Sequence, residues 1–317
     1  MTSSTPHPVP EVLYIAAAPR SGTTIVSLLL GERPGFFNAG EVRFLWRQLA
    51  KPGRCGCGAD LADCEVWRPI LAASTALSAN GSLAALVRGA RAHSLLRTLP
   101  ASLIRRAVSG TLPKLVDDHA HATMPVYAAA LGATGARILV DSSKSPSYAY
   151  ALAVSRGVRL KVLHLVRDPR AVVFSDLRDG RTPPQAGHRV RADAYRALKW
   201  TAWNLFIECF VRPRAHAYAR MRYEDFAADP DAQLRTALRR LDADDGGDEA
   251  QGRRVDLRVN HTVFGNGMRF RRGDTVIAVD RAWEERMRMS DRAVVTALTW
   301  PLTARYRTRR VAGETVG

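Results

Sequence analysis

Twenty residues near the start of the chain, Glu11 to Leu30, constrain the fold more than any other stretch. An apolar run, Glu11 to Ala17 (EVLYIAA), gives way to the short turn Ala18 to Gly22, and Thr23 to Leu30 then carries clustered apolar residues at helical spacing. Strand, glycine turn and helix in that order open an α/β unit. Two further buried strands are expected at Arg137 to Val140 (RILV) and Leu160 to Val166 (LKVLHLV), each followed by a polar turn and a helical stretch, so parallel pairing is the natural arrangement. Another strand candidate, His216 to Arg222, ends at the turn-like YEDFAADP, where Asp229 and Pro230 are placed to start a helix. Between the first two strands, Ala72 to Leu131 is rich in Ala, Leu and Arg and reads as a helical insertion.

The 317 residues, 46% hydrophobic and 24% charged, can bury a substantial core, which excludes a disordered chain. One domain over residues 1–317 is expected, with flexible ends at 1–10 and 307–317. No apolar run reaches the ~18 residues of a membrane span, since Pro19 and Arg20 interrupt Val12 to Leu30 and Pro301 interrupts Ala293 to Ala304. The opening MTSSTPHPVPEV lacks a basic region followed by an apolar one, so a cytoplasmic location is expected. The net charge of +17 rests almost wholly on arginine, with only five lysines among 47 basic residues. Those arginines are scattered, which favours a small anionic partner bearing phosphate or sulfate over a nucleic acid. Nothing in the pattern indicates contact with a membrane surface, and the oligomeric state is left open. Cys55, Cys57 and Cys64 form a C-x-C-x6-C cluster, but the next histidine downstream is His93, so the local sequence supplies no fourth zinc ligand. They read as reduced loop thiols, and no metal is expected.

The strongest chemical signal is Ala18-Pro19-Arg20-Ser21-Gly22-Thr23-Thr24, where successive backbone N–H groups and a helix N-terminus make a phosphate cradle. Laid on the nucleotide-hydrolase loop G-x-x-x-x-G-K-[ST], its first glycine becomes Ala17 and its lysine becomes Thr23. A loop with Arg20 at its mouth and no lysine suits a shorter anion than a magnesium-bound triphosphate. A second anion signature, Val166-Arg167-Asp168-Pro169-Arg170 running on to Ser175, follows the strand ending at Val166. Arg167 emerges at the strand edge where open parallel sheets bind ligands, and Ser175 lies two helical turns on.

Together, PRSGTT and VRDPRAVVFS resemble the two halves of the cofactor site of sulfotransferases that use 3′-phosphoadenosine 5′-phosphosulfate (PAPS). The resemblance runs from Val12 to about Ala282 and is similar in layout to tyrosylprotein, heparan-sulfate and bacterial sulfotransferases. It implies a P-loop-like fold with a central parallel β-sheet flanked by helices, plus the helical insertion. It also implies that Arg20, Ser21, Gly22, Thr23 and Thr24 hold the 5′-phosphosulfate, and Arg167 and Ser175 the 3′-phosphate. Gly40-Glu41-Val42-Arg43-Phe44 resembles the family's segment carrying a glutamate base, and Asp141-Ser142-Ser143-Lys144-Ser145-Pro146 its lysine turn. Trp203-Asn204 and Arg222-Tyr223-Glu224-Asp225 match its helix and strand-end patterns, which places Tyr223 at the cofactor. His261 to Arg271 resembles a cofactor-covering loop carrying Arg269 and Arg271, with Gly267 where bacterial members usually have proline.

Chemistry assigns the same roles. Moving SO3 between two oxygens needs a base for the acceptor hydroxyl, positive charge on the transferring oxygens and help for a departing phosphate. Glu41, Lys144 and Arg20 supply these as the catalytic set, and cationic side chains remove the need for a divalent metal. The expected activity is therefore sulfuryl transfer from PAPS to a hydroxyl of a carbohydrate, lipid or secondary metabolite, the acceptor pocket being built by the Ala72 to Leu131 insertion and the Gly180 to Val190 loop. A P-loop nucleotide kinase or hydrolase, or a non-catalytic basic nucleotide-binding module, are the competing readings. His164 reads as a satisfied core histidine, and Trp200, Trp203, Phe206 and Phe210 as core. His119 and His121, beside Asp117 and Asp118, read as solvated helix-face residues. His261 stands between a cofactor or acceptor contact and a structural turn.

Overall fold

The computed structural model describes residues 9–77, 82–93, 98–155, 157–178, 186–244 and 252–308. Five parallel strands form the central sheet: β1 (Glu11–Ala17), β2 (Phe36–Gly40), β3 (Ile138–Lys144), β4 (Arg159–Val166) and β5 (Ala217–Arg222), in the spatial order β2-β3-β1-β4-β5. The strand read from Glu11 to Ala17 sits at the centre because both of its faces are apolar. Val12, Tyr14 and Ala16 pack into the core on one side of the sheet, while Leu13, Ile15 and Ala17 pack into the core on the other. All of these are completely buried.

On the first side lie the helices of the insertion, Trp67–Leu77, Leu83–Ala92, Thr98–Ser109 and Lys114–Thr134, so among the described residues the helical reading of Ala72 to Leu131 holds. The second side is covered by Thr23–Gly31 and Pro230–Arg240; Asp229 caps the latter, its side chain accepting from the Ala232 N–H at 3.0 Å. YEDFAADP is not merely a turn, since Tyr223–Ala228 forms a short helix of its own.

Three strands were not anticipated. β2 pairs with β3 in parallel at the sheet edge. A separate antiparallel pair, β6 (Arg254–Leu257) and β7 (Gly273–Val276), runs from Arg254 opposite Val276 to Leu257 opposite Gly273. The chain between them, 258–272, is a long connection that reaches back to the end of β2. No helix among the described residues is long and apolar enough to cross a membrane. Most of the chain ends read as flexible, 1–8 and 309–317, and residues 180–185 of the Gly180 to Val190 loop lie outside the described residues, whereas 186–190 open the helix Ala186–Phe206 and are not loop.

Candidate active site

In this sheet every strand delivers one of the anticipated residues at its C-terminal end: Arg20 just beyond β1, Glu41 after β2, Lys144 closing β3, Arg167 after β4 and Tyr223 after β5. The sheet order also reverses beside β1, where β3 lies on one side and β4 on the other. That is the position at which open parallel sheets leave a crevice.

The turn after β1 is held in an unusual backbone shape. Arg20 has φ +66°, a left-handed conformation that costs a non-glycine residue about 1–2 kcal/mol. Gly22, with φ +86°, has a further constraint, because a Cβ there would lie 2.2 Å from the Tyr223 ring. Gly22 precedes the helix Thr23–Gly31 without a side-chain cap, so the first-turn N–H groups face outward as a cradle. Ser21 is buried, and its hydroxyl has no protein partner among the described residues. Thr23 is buried and Thr24 half-buried in the first turn.

The two anion motifs meet. Arg167 Nη1 donates to the Arg20 carbonyl at 2.9 Å, and Arg20 Nε donates to the Ser175 hydroxyl at 3.2 Å. The Arg167 guanidinium lies over the Tyr223 ring, 5.0 Å from its centre, and is only 8% exposed. Its Nε is buried without a partner among the described residues. Asp168 does not pair with Arg167. It takes Arg170 in a bidentate contact at 2.6 and 3.0 Å, leaving the Arg167 fork to the Arg20 turn.

At the far side of the crevice, Glu41 and Lys144 form a largely buried ion pair. Lys144 has φ +67°, and the turn around it is fixed from below. Asp141, fully buried, accepts from the Ser143 N–H at 2.8 Å and from the Tyr127 hydroxyl at 2.6 Å. Burial pushes its pKa up to about 6, against the lowering effect of those bonds. Tyr14 donates to the Ser145 carbonyl at 2.9 Å, and the Arg43 N–H donates to the Ser143 hydroxyl at 3.0 Å. Such a network over-determines a strained residue, which is how strain persists at functional sites.

His119 departs from the solvated reading. It is completely buried, its Nε2–H donates to the Arg43 carbonyl at 3.0 Å, and burial lowers its pKa to about 3. His121 remains exposed beside Asp117. His164 is the satisfied core histidine expected, accepting from the Tyr218 hydroxyl at 2.8 Å and donating to Asn204 Oδ1 at 2.7 Å.

The 258–272 connection docks on the end of β2 through backbone bonds. The Val263 N–H reaches the Ala39 carbonyl at 2.9 Å, and the Glu41 N–H reaches the Phe264 carbonyl at 3.0 Å. Arg269 is buried, with its Nη atoms donating to the carbonyls of Thr262 and Arg54, each at 2.7 Å. It therefore fastens this connection to the cysteine loop, a task its family role did not suggest. Arg271 is exposed. His261 turns its Nδ1 toward sulfur, 3.3 Å from Cys64 Sγ and 3.9 Å from Cys55 Sγ. The fourth group that the local sequence lacked arrives from 197 residues away.

A parallel sheet flanked by helices, with two arginines and a buried carboxylate–ammonium pair at the C-terminal ends of its strands, is a P-loop-like α/β fold. The sequence model of the sulfotransferase family matches residues 11–245, and the chain belongs to that family. It is therefore a transferase. Among solved structures, the sulfotransferase domain from the Synechococcus PCC 7002 olefin synthase is similar over 92% of this chain and 95% of that one, with 20% identity and a TM-score of 0.44. No curated protein matches the chain.

Proposed function

We propose that the protein transfers a sulfuryl group from PAPS to the hydroxyl of a carbohydrate, lipid or secondary-metabolite acceptor. The observation that carries this reading is the junction of the two anion motifs, Arg167 to the Arg20 carbonyl and Arg20 to Ser175, beside the buried Glu41–Lys144 pair. The residues fit such a donor. An uncapped helix start, and the Ser21 hydroxyl and Arg167 Nε that lack partners among the described residues, are polar groups placed to donate to an anion.

In this reading Ser21, Gly22, Thr23 and Thr24 hold the 5′-phosphosulfate, Arg167 and Ser175 take the 3′-phosphate, and Tyr223 packs beneath Arg167. Arg271, exposed on that connection, is assigned to the donor's outer face, and Arg269 supports it from below through the bonds already described. The donor supplies the sulfuryl group and departs as adenosine 3′,5′-bisphosphate. Glu41 takes the proton of the acceptor hydroxyl as its oxygen bonds to sulfur and the sulfur–oxygen bond to phosphate breaks. Lys144 follows the charge on the sulfuryl oxygens, for which a compact, rotatable ammonium is suited, and Arg20 follows charge onto the departing phosphate.

Calorimetry on the full chain, comparing adenosine 3′,5′-bisphosphate with ATP in the presence and absence of magnesium, tests the reading. The bisphosphate should bind more tightly by at least about tenfold, a difference near 1.4 kcal/mol, with no need for magnesium. Tighter magnesium-dependent ATP binding would favour a kinase or hydrolase. Tight bisphosphate binding with no turnover on any acceptor would favour a binding module.

A further inference from the structure

We propose that Cys55, Cys57, Cys64 and His261 form a structural Zn2+ site that clamps the 258–272 connection against the end of β2. Their four ligand atoms, three Sγ and one imidazole nitrogen, all lie within 4.8 Å of one another. Zinc with Zn–S near 2.3 Å and Zn–N near 2.0–2.1 Å at tetrahedral angles sets sulfur–sulfur edges of about 3.8 Å and sulfur–nitrogen edges of about 3.6 Å. The chain presents Cys57–Cys64 at 3.9 Å, Cys64–His261 at 3.3 Å and Cys55–His261 at 3.9 Å. A disulfide would need sulfurs about 2.05 Å apart. The four groups thus stand at metal-bridged separations, not bonded ones.

The surroundings are built for such a site. Cys55 and Cys64 are completely or almost completely buried. The cysteine loop folds back on itself through the Cys55 N–H to the Ala59 carbonyl at 2.8 Å and the Gly58 N–H to the Cys55 carbonyl at 2.9 Å. Gly56 lets the two chain segments touch. Its N–H donates to the Thr262 carbonyl at 3.0 Å, and a Cβ there would lie 2.1 Å from Asn260 Oδ1. The His261 backbone is held by Trp67, whose Nε1 donates to the His261 carbonyl, and the exposed Glu65 carboxylate lies 3.9 Å from Nε2.

Ligand chemistry selects the ion. Three thiolates and an imidazole suit zinc and exclude magnesium, calcium and manganese, and four protein ligands close the coordination sphere as in structural sites. Three thiolates with Zn2+ leave one net negative charge. The guanidinium of Arg269, which already bonds the carbonyls of Arg54 and Thr262, is the counter-charge beside Cys55. Residues 262–264 follow His261 directly, so the clamp sits one short segment from the backbone bond between Phe264 and Glu41.

The test uses the full chain, purified without chelator from zinc-replete cells. Elemental analysis should give one zinc per chain, and replacement by Co2+ should give thiolate-to-cobalt charge transfer with intense tetrahedral d–d bands. Cys64→Ser and His261→Ala should each lose the stoichiometric metal, while Cys209→Ser, outside the cluster, should keep it. Because the cluster variants can fail by misfolding, the unmutated protein carries the decision on its own. A zinc content below about a tenth per chain, with Cys55, Cys57 and Cys64 alkylating natively as fast as the exposed Cys209, overturns the proposal. A Cys57–Cys64 disulfide found by mass spectrometry does so as well. None of these readouts depends on catalytic activity.

Discussion

Replacing Arg167 separates two jobs that the structure gives one side chain. Arg167→Ala removes the charged bond to the Arg20 carbonyl, worth about 1.5–3 kcal/mol, and the stacking on Tyr223, worth about 1 kcal/mol. Both act within the protein, so they loosen the Arg20 turn whichever ligand is bound. If Arg167 also holds the 3′-phosphate, a further charged contact of about 1.5–3 kcal/mol disappears, a ten- to hundredfold loss in affinity. Titration calorimetry with adenosine 3′,5′-bisphosphate and adenosine 5′-monophosphate isolates that part. The variant should weaken binding of the bisphosphate by a factor ten- to a hundredfold greater than it weakens the monophosphate. Arg167→Lys should restore little, since an ammonium cannot both reach the Arg20 carbonyl and lie flat on Tyr223. Equal binding of the two ligands by the unmutated protein would refute the assignment. Equal losses for both ligands in Arg167→Ala would leave Arg167 only as a prop for Arg20.

Glu41→Gln keeps the shape at the end of β2 but cannot take a proton, so turnover with a competent acceptor should fall by ~10²–10⁴-fold while bisphosphate affinity changes little; near-normal turnover would assign the base elsewhere. Arg20→Ala should lower the maximal rate at saturating donor by ~10²–10³-fold, with partial recovery in Arg20→Lys, and an effect confined to the Michaelis constant would remove Arg20 from the chemical step. His119, with its pKa lowered from 6.5 to about 3, contributes stability that is present above pH 6.5 and lost as the pH falls towards 3, on the order of 5 kcal/mol. Asp141, raised to about 6, acts in the opposite sense between about pH 4 and 6. His119→Gln, which retains an N–H for the Arg43 carbonyl, should flatten the acid limb of a denaturant-stability profile; an unchanged slope would show that His119 is not held neutral.

Legibility in the sequence followed burial and spacing. β1 could be read to the residue because its two faces fill two cores, and the turns after β1, β3 and β4 were readable because glycine, proline and charge interrupt apolar runs there. β2 was not readable. Its five residues, FFNAG, lose their apolar character after Phe37, and its strand state comes from pairing with β3. β6 and β7 are four residues each, at the lower limit at which alternation signals a strand, and β7 breaks the pattern by exposing Val276 on the same face as Asp274. His119 was misjudged from its acidic neighbours. Two residues along a helix is about 200° of rotation, so exposure at Asp117 says nothing of position 119, whereas buried Val116, Ala120 and Thr123 mark its true face.

The residues that sequence reading located and the one it could not connect differ in how the fold places them. Arg20, Glu41, Lys144, Arg167 and Tyr223 stand at or just beyond strand ends, so hydrogen-bonded neighbours on a doubly covered sheet fix their mutual positions. Arg20 and Arg167 are announced locally by an apolar run that stops, whereas Glu41, Lys144 and Tyr223 are marked by the short polar motifs around them. The 258–272 connection has no such frame. It leaves and returns through a four-residue antiparallel pair, and its deeply buried side chains are few, Thr262, Val263 and Arg269. A segment with so little apolar burial holds its place on Glu41 only through cross-links of high sequence separation. Arg269 supplies one, to Arg54, while its bond to Thr262 braces the connection internally, and His261 meets the cysteines 197 positions or more upstream. Spacing rules count ligands within a short window, and a site closed by a residue on the far side of the sheet's crossovers satisfies none of them. The same remoteness gives the cross-link its mechanical value, because it ties to the cysteine loop the connection whose Val263 and Phe264 bond the strand end that carries the candidate base.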